Sequence, residues 1–169
     1  MKTFTKDKLT VRVFDSRAQM GAAAAAACVE AMQKLLAEKE SIRMIFAAAP
    51  SQNEFLAALV KAGKDGLVDY TRVHAFHMDE YVGLAPDAPQ GFGNFLRAAI
   101  FEKAPFRSVH YLNGNAADIS AECARYGALL EAFPTDIVCL GIGENGHIAF
   151  NDPPVANFHD PALCKQVAL

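Results

Sequence analysis

Ile42-Arg43-Met44-Ile45-Phe46-Ala47-Ala48, broken at once by Pro50-Ser51, is the stretch on which the fold turns. It is short and almost uniformly apolar, the pattern of a strand covered on both faces. Ser51 followed by Glu54 reads as a capping box that starts a helix running to about Lys61. Upstream, Thr10 to Phe14 alternates as a short strand does, and Asp15-Ser16 ends it. Ser16 with Gln19 is another capping box, opening a long Ala-rich helix to about Lys39 with Met20, Ala24, Cys28, Ala31 and Leu35 on one face.

Downstream, Arg72 to Met78 reads as a second buried strand, Pro86 to Gly91 as a loop and Phe92 to Lys103 as a helix. Val109 to Leu112 is a short strand and Asn113-Gly114-Asn115 a turn. Ile119 to Phe133 is an amphipathic helix with Cys123, Tyr126 and Leu130 inward. Asp136 to Leu140 is the last clear central strand, and Leu163 to Leu169 reads as a strand with no closing helix after it. Apolar strands alternating with helices predict right-handed βαβ units. The expected fold is therefore a Rossmann-like three-layer α/β/α arrangement with a mainly parallel, doubly wound sheet. No repeat, low-complexity linker or composition break divides the chain, so a single domain is expected over 1–169.

Composition narrows the function. A formal net charge of -3, with no basic run, gives nucleic acid or an anionic membrane no electrostatic reason to bind. The alanine run Ala22 to Ala27 lacks the order of a signal peptide, because acidic and basic residues flank it on both sides. No apolar stretch approaches the ~20 residues that span a bilayer, and a cytoplasmic protein is expected. Cys28, Cys123, Cys139 and Cys164 have no CxxC spacing and read as small buried hydrophobes in a reducing compartment rather than disulfide or zinc residues. A homo-oligomer is compatible with everything in the sequence.

In an open α/β sheet, ligands bind beyond the carboxyl ends of the strands. Each unusual polar segment here follows a strand directly: Ala47 to Ser51, Asp79 to Gly83, and Gly141 to Asp152. An Asp-Glu pair in a solvated turn would be unremarkable, but Phe76, Met78 and Tyr81 surround Asp79 and Glu80 with apolar bulk. A carboxylate at such a partly desolvated strand end has its pKa raised toward the range of a general base. Alternation sends Asp79 and Glu80 to opposite sides, so they are expected to have different roles.

Gly141-Ile142-Gly143-Glu144-Asn145-Gly146 matches the spacing of a dinucleotide loop, yet Pro153-Pro154 prevents the helix that such a loop must open, which excludes a nucleotide site. Gly143 and Gly146 are expected instead to let backbone approach a small ligand closely. His147 lies in this loop between Asn145 and Asp152, polar neighbours able to orient its ring for proton transfer. His74 and His77 are three apart on one strand and face opposite sides, against a shared metal. His110 and His159 have no motif around them, and no serine sits in a GxSxG elbow.

Three pieces, Met78-Asp79-Glu80-Tyr81-Val82-Gly83-Leu84, Leu112-Asn113-Gly114-Asn115-Ala116 and Gly143-x-x-Gly146-His147-Ile148-Ala149-Phe150-Asn151, together resemble the glucosamine-6-phosphate deaminase/isomerase family. The likeness is collinear over roughly Ile42 to Asp152. The related 6-phosphogluconolactonases share the fold but usually carry Asp-Glu-Arg and Gly-His-Thr at these sites, so Tyr81 and Ile148 favour the deaminase side. The resemblance implies ring opening of glucosamine 6-phosphate, isomerisation through an enolamine and loss of ammonia, giving fructose 6-phosphate, with no metal or organic cofactor. By position, Asp79 would move the proton between C2 and C1, His147 would open the ring, and Glu80 would shape the pocket.

Three departures from the family carry expectations of their own. Asn145 stands where the family usually has aspartate and cannot stabilise an imidazolium, so ring opening is expected to be slowed or the substrate altered. Asp152 stands for a glutamate, one methylene shorter. The Gly- and Thr-rich phosphate loop is replaced by Ala47-Ala48-Ala49-Pro50-Ser51-Gln52, leaving backbone N–H groups at Ala48, Ala49 and Ser51 and a helix N-terminus to hold the phosphate. The family also runs on past Leu169, so the chain is expected to be incomplete at its C-terminus. Two alternatives stand beside the deaminase: a lactone hydrolase in which His147 activates water, and a non-catalytic sugar-phosphate effector domain. Against the second, there is no helix-turn-helix pattern or basic patch.

Overall fold

The computed structural model describes residues 1–168. Its framework is a four-stranded, all-parallel sheet built from β3 (Ile42–Phe46), β4 (Val73–His77), β5 (Ser108–His110) and β6 (Ile137–Cys139), in the order β5-β4-β3-β6. The chain steps outward from β3 to β4 and β5, then reverses to place β6 on the other flank of β3. That reversal is a topological switch point, where the loops after two neighbouring strands part and leave a crevice. The doubly wound α/β expectation therefore holds.

β3 sits inside the sheet, with Ile42, Met44 and Phe46 fully buried. β6 does not occupy the central place expected of it. It is an edge strand, with Val138 and Leu140 exposed, because no described strand pairs with its far side. Of its three residues, Cys139 is buried and Val138 exposed.

α1 (Arg17–Glu38) starts where the sequence predicts. The Ser16 hydroxyl accepts a hydrogen bond from the Gln19 amide, at 3.3 Å. Its buried face is instead Gly21, Ala25, Cys28, Val29, Met32 and Leu36, and the expected Met20 and Ala24 are exposed. The displacement has a steric cause in α2 (Asn53–Lys64). A Cβ at Gly21 would lie 2.5 Å from Glu54 Cβ, so the two helices touch at the glycine and the helix turns to place it inward. An alanine-rich helix has little apolar contrast with which to resist that rotation.

The second capping box does not form. A 3-10 turn, Pro50–Gln52, precedes α2, no side chain caps the helix, and the Glu54 carboxylate instead pairs with Arg17 at 2.8 Å. α3 (Phe92–Leu96) continues as a π-helical turn, Arg97–Phe101, and α4 (Ile119–Ala132) buries Tyr126 as expected. β1 (Lys2–Lys6) and β2 (Leu9–Val13) form a separate antiparallel hairpin, of which only the second strand is legible in the sequence. The strand expected at Leu163 to Leu169 is absent over 163–168, where Lys165 folds back onto Val155 and Asp160; Leu169 lies outside the described residues. Among the described residues, no helix is long and apolar enough to cross a membrane.

Because Gly21 is where α1 meets α2 backbone to side chain, Gly21→Ala forces the helices apart. Urea unfolding should show a loss of about 1–3 kcal/mol, as overpacking in a close contact does. An unchanged midpoint would mean that the helices are not held this close.

Candidate active site

The parallel ladder carries three loops to one edge of the sheet. Met78 N–H donates to Phe46 C=O at 3.0 Å and Ala47 N–H to Cys139 C=O at 2.9 Å, so the chain leaves β3, β4 and β6 at the same level. Asp79 follows β4 directly. One of its oxygens, Oδ1, is buried and has no hydrogen-bond partner. Burial pushes the Asp79 carboxyl up to about 6, the Glu80 carboxylate adds to the rise, and the nearby His147 ring opposes it. Asp79 therefore has the strand-end desolvation foreseen for a base, and His147 is close enough to act on its charge.

Glu80, which reaches the same cavity, is engaged by backbone amides. Its carboxylate accepts hydrogen bonds from Tyr81 N–H (2.9 Å), Phe92 N–H (3.0 Å) and Gly93 N–H (2.9 Å), capping the start of α3. Acidic groups are stabilised at that end of a helix, and Glu80 is committed to holding the Asp79 loop on α3. Behind it lies His77, fully buried with both ring nitrogens unpartnered. Burial lowers its pKa to about 4 against the opposing pull of Glu80, 3.7 Å away. The Tyr126 hydroxyl clamps the same strand end, accepting from His77 N–H (2.9 Å) and donating to His77 C=O (2.7 Å).

The β6 loop is organised around His147. Asn145 Oδ1 accepts from the His147 backbone N–H at 3.1 Å, which fixes the oxygen end of the amide toward His147. The same oxygen lies 2.7 Å from His147 Nδ1, so in the neutral ring that nitrogen carries the proton and Nε2 keeps a free lone pair. Asn145 Nδ2 donates to Asp152 Oδ1 at 2.8 Å, and that oxygen is 3.3 Å from His147 Nδ1. Asp152 thus supplies at short range the negative charge that Asn145 lacks.

Gly143 has a reason to be glycine beyond the one expected. A Cβ there would meet the His147 ring at 2.2 Å, so the missing side chain makes room for the imidazole. Gly146 has φ +86 and turns the loop back on itself, donating from N–H to Gly143 C=O at 3.0 Å.

A cavity of about 750 Å³ opens beside Asp79, walled by Glu80, Tyr126 and Leu130 and reached by Gly146 and Ile148. Ala48, Ala49 and Ser51 do not line it, and neither do Gly143, Asn145, His147 and Asp152, although Gly146 and Ile148 on either side of His147 do. Ala48 is packed into the core, Ala49 is extended and half-buried, and Ser51 is exposed in the 3-10 turn. This segment borders the β6 loop instead: a Cβ at Gly141 would lie 3.7 Å from Gln52 Nε2 and 3.8 Å from Ser51 Oγ. Gln52, a buried polar side chain beside the N-terminus of α2, was not singled out by the sequence, and nothing but its place after the apolar strand would have marked it. Among the described residues, no three His, Cys, Asp or Glu side chains gather as a metal site would require.

A parallel sheet reversing at β3/β6, with a buried carboxylate after β4 and an oriented imidazole after β6, the two strands that flank β3, defines an open α/β protein with its polar loops at the carboxyl ends of the strands. Residues 15–156 match the family described as glucosamine-6-phosphate isomerases/6-phosphogluconolactonase, and the chain belongs to that family. It is 38% identical over 125 residues to the glucosamine-6-phosphate deaminase of Listeria innocua, covering 74% of this chain and 52% of that protein. It is 43% identical over 93 residues to the one from an Exiguobacterium species, covering 55% of this chain and 37% of the relative. Among solved structures it resembles a monomeric glucosamine-6-phosphate deaminase (28% identity, TM-score 0.74, covering 83% of this chain and 58% of the other). It also shares its fold with the 6-phosphogluconolactonase of Plasmodium vivax (14% identity, TM-score 0.77, covering 90% and 55%). The chain thus spans about half or less of the curated relatives' length.

An elevated carboxyl pKa means that the fold bears the cost of ionising Asp79. Its folded value, about 6, lies above the ordinary 3.8, so stability is lost as pH rises from 4 through 6. Asp79→Asn should therefore raise stability at pH 7.5 by about 1–3 kcal/mol, with the gain shrinking as pH falls below 6. Thermal melts across that range check it; a destabilised variant at pH 7.5 would contradict the burial of an unpaired charge.

Proposed function

We propose that the chain carries the proton-transfer machinery of an amino-sugar-phosphate deaminase/isomerase, which converts glucosamine 6-phosphate to fructose 6-phosphate and ammonia. The observation that carries this reading is Asp79, a carboxylate with a buried, unpartnered oxygen at the wall of a cavity, near enough to the His147 ring to feel its charge. Identity to glucosamine-6-phosphate deaminases over the same residues supports the choice of substrate. The lactonases that share the fold are less than 25% identical and bear on architecture alone.

In this reading, His147 and Asp79 divide the steps. With Nδ1–H directed at Asn145, His147 Nε2 is free to take the proton from the anomeric hydroxyl and return one to the ring oxygen, which opens the pyranose. Asp79, ionised above pH 6, removes the C2 proton of the open aldose and delivers it to C1 of the enolamine. The resulting C2 imine takes up water and releases ammonia, leaving the ketose. Asp152 steadies the imidazolium through its 3.3 Å approach to Nδ1, so the Asn145 replacement leaves His147 with a counter-charge. The phosphate would lie against the N-terminus of α2, where Ser51 and Gln52 face Gly141.

Ammonia release from glucosamine 6-phosphate tests the assignment. Turnover is expected to rise with pH through about 6 as Asp79 ionises, and Asp79→Asn should reduce kcat by about 10²- to 10⁴-fold, the ordinary worth of a positioned base. Full activity in Asp79→Asn would sink the mechanism, and hydrolysis of 6-phosphogluconolactone without ammonia release would move the assignment to the lactonases.

A further inference from the structure

Asp79 and His147 belong to different loops, and their cooperation requires that the loops keep a fixed separation. Among the described residues, no hydrogen bond or ion pair joins residues 79–93 to residues 141–152; the polar contacts of each loop are spent within itself or on other elements. What joins them is aromatic. The Phe150 ring lies 5.3 Å from Tyr81 and stacks on Phe92 at 5.8 Å with 20° between planes, while Tyr81 and Phe92 are themselves 4.9 Å apart.

We infer that Phe150 is a positioning residue, the clasp whose ring, seated on Tyr81 and Phe92, sets the His147 loop against the Asp79 loop. This rests on the reading of Asp79 and His147 as base and acid/base. Each partner of the ring is rigidly tied to its own side: Tyr81 lies two residues after Asp79, and Phe92 N–H is held by Glu80. On the opposite side, Phe150 follows His147 by three residues. The backbone between them is bent to deliver the ring: Ala149 takes φ +53, a left-handed conformation that costs a residue with a Cβ about 1–2 kcal/mol. Asn151 N–H and Nδ2 both donate to Ile148 C=O, at 3.1 Å, and close the turn. Strain of this kind persists only where surrounding contacts over-determine it, and the aromatic contact is the one that reaches across.

The test separates ring placement from simple space-filling. Phe150→Tyr keeps the ring and should retain kcat and the pH profile. Phe150→Leu and Phe150→Ala should lower kcat by about tenfold or more, with KM moving by less than about threefold, because misplacement of a catalytic group acts on the transition state. Their acid limb should move above pH 6 as the His147 imidazole withdraws from Asp79. If Phe150→Ala does not fold, Phe92→Leu removes a ring from the other side and carries the same expectation. Carbon-13 titration of the Asp79 carboxyl in wild type, Phe150→Leu and Phe92→Leu gives an answer independent of turnover. Release of the clasp withdraws the His147 imidazole, which holds the Asp79 value down, so a midpoint raised in both variants supports the clasp, and an unchanged or lowered midpoint overturns it. Wild type that releases no ammonia counts against the deaminase reading, and the carboxyl titration then decides the clasp alone.

Discussion

Phe46 is paired on both sides, opposite His77 of β4 and Cys139 of β6, and it is fully buried. Because a parallel strand needs a covering on each face and a neighbour on each flank, this one residue holds the ends of three strands at the same height. The loops that follow can only emerge together. The Asp79 loop, the Gly141 to Asp152 loop and the Ala47 to Gln52 segment are neighbours for that reason, and the candidate chemistry is a consequence of how β3 is packed.

The site is poorly optimised for stability, and the pattern is consistent. Asp79 has a buried oxygen without a partner, His77 has two buried nitrogens without partners, and Ala149 is left-handed. Groups of this kind are costly and persist where the surrounding structure compels them. That structure is identifiable here: Glu80 accepting two amides of the α3 start, Tyr126 clamping both backbone groups of His77, and Phe150 bridging to Tyr81 and Phe92. An ionisable carboxyl held near neutrality is useful as a base because it can both take and return a proton.

Much of the framework was legible in the sequence because the strands over β3 and β4 are apolar runs with punctuation on both sides. Asp79 and His147 were legible because polar residues directly after such strands have few structural reasons to be there. The face of α1 was not, since alanines carry no directional signal and the rotation is set by Gly21 meeting Glu54, 33 residues away in sequence by 54 − 21. The Ser51 capping box failed because Arg17 claimed Glu54. The fit of Gly143 against the His147 ring was not legible for a similar reason: a glycine needed to admit a neighbouring side chain looks the same in sequence as one needed to admit a ligand. The edge position of β6 and the contact of Phe150 with Tyr81 and Phe92 depend on long-range placement, to which local pattern is blind.

The central claim is that an imidazole from one loop stands close enough to a desolvated carboxylate from another to share a substrate with it. Titration of the Asp79 carboxyl carbon by NMR, in the wild type and in His147→Ala, measures this directly. The wild type should titrate near 6, and removal of the imidazole, which holds the value down, should shift the midpoint upward. A wild-type midpoint near the ordinary 3.8, or no change on removing His147, would contradict the account.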